Sequence, residues 1–113
     1  MIRLQIVEAS GAKLYGALKS AMRSGELRTF SLQKRGRKVV HQRYPGWMNW
    51  SHADDVITCE VLSPRKPGTE WQFLSAFVGR LADRFSDSIE SISIEFPGPG
   101  PARKAGRGRR KAS

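Results

Sequence analysis

The sequence predicts an α+β domain folded as a two-layer sandwich, and three observations lead there. Short stretches alternate apolar and polar residues with period two, two longer stretches carry one apolar stripe at helical spacing, and the elements run β-α-β-β-β-α-β. Two one-stripe helices on one side of a sheet whose strands each have one apolar face bury every stripe at once. The chain has 113 residues, room for one domain with a modest core. We assign that domain to residues 1–96 and read 97–113 as a disordered tail.

Ile2, Leu4 and Ile6 alternate with Arg3 and Gln5 as a first strand. Ser10 offers an N-cap oxygen for a helix in which Leu14, Ala17, Leu18, Ala21 and Met22 form the stripe, and Gly25 is suited to end it at positive φ. From Leu27 to Tyr44 an Arg35-Gly36 turn gives a hairpin pairing Leu32 with Val39 and Phe30 with His41, a longer turn over Lys34 to Arg37 being the variant. Pro45 to Asp54 opens with turn residues and shows no period, so it reads as a long loop. Val56 to Leu62 alternates again, with Ile57, Cys59 and Val61 on one face.

Pro64 and Pro67-Gly68 break that strand, and Thr69 with Gln72 forms a capping box before a helix striped by Trp71, Leu74, Phe77, Val78, Leu81 and Phe85, with Phe73 off the stripe. Ile92, Ile94 and Phe96 alternate as the last strand, which Pro97 ends. The layout resembles a ferredoxin-like split β-α-β arrangement with an extra hairpin strand.

Charge narrows the partner. The chain carries +10, with six cations and no acid in the tail, leaving fourteen basic against ten acidic residues in the body. A field of that sign selects polyanions. One cysteine excludes an internal disulfide framework and suits a reducing compartment, and with neither an apolar span nor a leader pattern at the start the expectation is a cytoplasmic protein off the membrane.

The candidate site is a nucleic-acid interface for DNA or RNA. Arg28, Lys34, Arg35, Arg37, Lys38 and Arg43 gather on the hairpin to meet phosphates, Tyr44, Trp47 and Trp50 follow as rings for base stacking, and the tail adds Arg103, Lys104, Arg107, Arg109, Arg110 and Lys111. The competing reading makes the charges solubilising and the tryptophans lids on the core, in a structural module that forms a homodimer or meets an acidic protein.

Catalytic chemistry finds little support. His52, Asp54 and Asp55 are the only acid/base candidates together and match no metal spacing, Cys59 faces the core with Ile57 and Val61, and no glycine cluster joins a strand to a helix. The expectation is a nonenzymatic protein without metal or cofactor.

Overall fold

The computed structural model describes residues 1–97. The tail cations Arg103, Lys104, Arg107, Arg109, Arg110 and Lys111, and the disorder expected around them, lie outside the described residues. Six strands and two helices follow in the order β1 (Ile2–Glu8), α1 (Leu14–Ser24), β2 (Phe30–Gln33), β3 (Lys38–His41), β4 (Trp47–Ala53), β5 (Val56–Leu62), α2 (Glu70–Arg84) and β6 (Ile89–Glu95). They form one antiparallel sheet in the spatial order β2-β3-β4-β5-β1-β6.

Two expectations are corrected here. The segment Pro45 to Asp54 is largely strand, so the sheet gains a member and β2 to β5 run as a continuous meander. The strand order therefore differs from the five-strand ferredoxin-like layout; what stands is a mixed α+β sheet with two helices. The cause lies in the composition of β4. Only Met48 and Trp50 are apolar and buried on its inner face, and the turn that follows is Asp54-Asp55, with φ of 53° and 63° at those residues. Asp visits this left-handed region more readily than most residues because its short polar side chain can hydrogen-bond to nearby backbone, yet Asp-Asp is a weaker turn signal than Asn-Gly.

Register follows the core. Ile2, Leu4 and Ile6 lie opposite Val61, Cys59 and Ile57, while Met48 and Trp50 lie opposite Val61 and Cys59 from the other side. These residues form one buried cluster with Leu14, Leu18, Ala21 and Met22 of α1 and Phe73, Leu74, Phe77 and Leu81 of α2. Both helices therefore cover the same sheet face. The opposite face shows Gln5, Asn49 and Ser51, with Arg3 bonded to Glu60 and Glu95, each at 3.3 Å.

The helix ends differ from expectation in detail. Gly25 does end α1, at φ 87°. Ser10 does not cap its start; Glu8 does, from the preceding strand, where its Oε2 accepts the Tyr15 N–H at 2.7 Å. A carboxylate at that position meets both an orphan donor and the positive end of the helix. In α2 the Thr69 side chain turns back to the Lys66 carbonyl at 2.6 Å instead of capping the helix, so the expected capping box does not form. Phe73 is fully buried and Trp71 is exposed, the reverse of the predicted stripe, because the stripe that meets the sheet is Phe73, Leu74, Phe77 and Leu81. Among the described residues no helix is long and apolar enough to cross a membrane.

Candidate nucleic-acid interface

The hairpin forms in the predicted register, Phe30 opposite His41 and Leu32 opposite Val39. Its tip is the longer variant, a tight left-handed turn over Lys34–Gly36 in which Lys34, Arg35 and Gly36 all take positive φ. Gly36 suits this conformation. It has φ +87°, and a Cβ would press on the ends of Lys19 and Arg23 from α1 at 3.2 and 3.3 Å. The fold thus brings two helix cations to the hairpin tip that the linear sequence keeps far from it.

Trp50 ties this tip to the core. Its indole Nε1 donates to the Gly36 carbonyl at 2.7 Å, and its ring packs edge-on to Tyr15 and Phe77 at centroid distances of 4.9 and 6.2 Å. At 4 % exposure the ring has no face to offer a base. Its assignment as a stacking residue is corrected: Trp50 sits on the inner face of β4, and its polar edge satisfies a buried carbonyl.

Trp47 is on the other face, half-buried, with the Lys38 ammonium 4.5 Å from its ring centroid. On that open side a concavity of about 510 Å³ lies between the hairpin and the sheet. Lys34, Arg37 and Lys38 line it together with Asn49, Ser51, Thr58, the barely exposed edge of Trp50 and the single acid Glu60. Glu60 is already engaged by Arg3. Among the described residues none of Lys34, Arg35, Arg37 or Lys38 makes an ion pair with Asp or Glu. Three cations without counter-ions on a polar floor whose one acid is engaged by Arg3, with Arg35 beside them at the tip, make a surface whose preferred ligand is an anion.

The remaining predicted residues lie elsewhere. Arg43 and Tyr44 leave the hairpin base on the helix side, in a second groove with His41 and Arg80, while Arg28 is exposed and lines neither recess. His41 Nδ1 accepts the backbone N–H of Arg43 at 2.9 Å and of Tyr44 at 3.2 Å. Partial burial, then the charges of Arg43 and Arg80, hold the His41 imidazole below its ordinary pKa.

His52 stands on β4, with Nε2 2.8 Å from Oε1 of Glu8 and its ring stacked on Tyr15 at 5.1 Å. Ligand atoms of Glu8, His52 and Asp55 lie within 4.8 Å of one another. Both oxygens of the buried Glu8 are already committed, one to His52 and one to the α1 N-terminus, so the structural role accounts for the group. Glu8 escaped the sequence reading because a carboxylate at the end of a strand carries no local signal of burial. Cys59 is fully buried, and loss of solvation pushes its thiol far above the ordinary value, which leaves it inert.

Comparison of the chain with protein-family models, with curated proteins and with solved structures gave no match.

Proposed function

We propose that this protein is a small nonenzymatic nucleic-acid-binding protein that lays a single strand or an RNA loop along the open sheet face beside the hairpin. One observation carries the reading: the concavity of Lys34, Arg37 and Lys38 against Asn49, Ser51 and Thr58, whose cations form no ion pair among the described residues while the one acid of the lining, Glu60, is held by Arg3. Phosphates would sit on the cations, the polar strand side chains would meet base or sugar edges, and Trp47 would offer the stacking ring that Trp50 does not. Lys19 and Arg23 widen the basic rim towards α1. Amide-shift titration of the full chain with a short single-stranded oligonucleotide tests the placement. Shifts at Lys34 to Lys38, Asn49, Ser51 and Thr58 are expected, and shifts confined to the outer faces of α1 and α2 would refute it.

A second reading, a homodimer, is favoured by the edge strand β6. Ile94 is 37 % exposed, Phe96 53 % and Trp71 49 %, and the Trp71 and Phe96 rings lie 6.0 Å apart on the helix side, next to an unpaired strand edge. Neither Pro nor Lys interrupts Ile89–Glu95, and the register shift of its ladder with β1 falls at the Ile89 end, away from Ile92 to Ile94. A second copy paired antiparallel about Ser93 would set Ile92 against Ile94 and join the two apolar patches. Sedimentation of the full chain decides, because Trp71→Ser would convert a dimer to monomer and leave a monomer unchanged.

A further inference from the structure

The second groove lies on the helix side of the hairpin base and shares no lining residue with the open-face concavity. It measures about 830 Å³ and is lined by Thr29, His41, Gln42, Arg43, Tyr44 and, across from them on α2, by Ser75, Ala76, Gly79 and Arg80. Among the described residues no carboxylate lines it, and Arg43 and Arg80 form no ion pair. Two guanidiniums therefore border one recess with no internal counter-charge. A guanidinium presents its N–H groups as a fork that fits phosphate oxygens in pairs.

The neutral groups complete a site with polarity. His41 Nδ1 is occupied as an acceptor by two backbone N–H groups, which puts the proton of the neutral ring on Nε2 and makes that atom a donor. Tyr44 stacks on His41 at 4.7 Å and 26°, and His41 in turn meets the edges of Phe30 and Phe73, so the Tyr44 ring is backed by the core. The α2 wall is low: a Cβ at Gly79 would meet nothing within 4 Å.

We propose that this groove binds a nucleoside monophosphate unit, its phosphate between Arg43 and Arg80 and its base against the Tyr44 ring. The unit is either a free nucleotide or the phosphorylated end of a strand. The volume falls within the range of about 300–1,000 Å³ usual for small-ligand pockets. The site does not depend on the open face, and either can fail alone.

Titration of the full chain with AMP, followed by amide and imidazole proton shifts, tests it at constant ionic strength. Shifts at His41, Tyr44, Ser75 and Gly79 are expected, with a rise in the His41 pKa on saturation because a bound anion favours the imidazolium. Arg80→Ala is expected to weaken AMP at least tenfold, and adenosine, lacking the phosphate, to bind at least tenfold more weakly. Gly79→Leu, at a position where a Cβ meets nothing within 4 Å, should block the groove, and its thermal unfolding checks that the variant is folded. A 5′-phosphorylated oligonucleotide that competes with AMP, where its unphosphorylated counterpart does not, places the natural unit at a strand end; AMP binding that neither oligonucleotide displaces places it as a free nucleotide. The proposal is overturned if AMP moves none of these signals, if adenosine binds as tightly as AMP, or if Arg80→Ala and Gly79→Leu both bind AMP normally.

Discussion

Replacing Trp50 by Phe separates the two roles that this residue has been given. The ring is buried at 4 % exposure and its only polar atom donates to Gly36 at 2.7 Å. Phe keeps most of the apolar contact with Tyr15 and Phe77 but leaves the Gly36 carbonyl without its donor. Stranding a buried acceptor costs about 1–3 kcal/mol. The smaller ring adds a cavity term, so a total of about 2–3 kcal/mol is expected. For a body of this size each kcal/mol moves Tm by roughly 4–8 °C, giving a fall of about 8–24 °C. Thermal and urea unfolding of the full chain read it, and hydrogen exchange should show the hairpin tip at Gly36 losing protection first. Since Trp50 meets the concavity only with a 4 % exposed edge and otherwise faces the core, nucleic-acid affinity measured where the variant is folded should change little. A Trp50→Phe protein within about 0.5 kcal/mol of the parent, with affinity lost, would show that the ring serves a ligand and that the packing argument is wrong.

Three further perturbations bear on the frame. Glu8→Ala removes the acceptor for Tyr15 N–H and the partner of His52, and should cost about 2–3 kcal/mol in urea unfolding; a loss below about 0.5 kcal/mol would show that water replaces the carboxylate at once. Gly46→Ala should destabilise by more than about 2 kcal/mol, because Gly46 has φ +91° and a Cβ would collide with the Leu62 carbonyl oxygen; an unchanged Tm would contradict the close approach of the β3–β4 turn to β5. His41 is held below its ordinary pKa, so between the two values the unfolded chain binds more protons than the native one. Stability should be level above the unfolded-state value and fall as pH drops through it towards the lower native value. Tyr44, Arg43 and Arg80 face the ring, so His41→Gln should flatten that segment of the stability-pH curve, and an unflattened curve would assign the titration elsewhere.

Where the sequence was legible, one force dominated. The pattern of β1, the Gly25 stop and the Phe30–His41 register could be read because each rests on local alternation or on a single residue with a special conformation. β4 was unreadable for a matching reason: its inner face is Met48, Trp50 and His52, with one polar member of three, and tertiary pairing on both sides supplies what local pattern lacks. Trp71 and Phe73 exchanged places because both lie near the edge of a helical stripe, and which side of that edge faces the sheet is set by how the helix is laid down, a tertiary fact. In the candidate site the hairpin cations were visible as a charge run. Lys19, Arg23 and Arg80 were not, since they reach the hairpin only through the packing of α1 and α2. Trp47 and Trp50 look alike in sequence; the pleat sends one to each face.

The most direct test of the account is the salt dependence of single-strand binding by the full chain and by a Lys34→Ala/Arg37→Ala/Lys38→Ala variant. Each phosphate contact contributes about −0.7 to the slope of log K against log salt for a single strand, so losing three cations should make the slope shallower by about 2. Folding should be unaffected, since Lys34 and Arg37 are exposed and Lys38 is only half-buried. Equal slopes for the two proteins, or no binding by either at about 50 mM salt where such contacts are strong, would contradict the claim that the hairpin meets a polyphosphate.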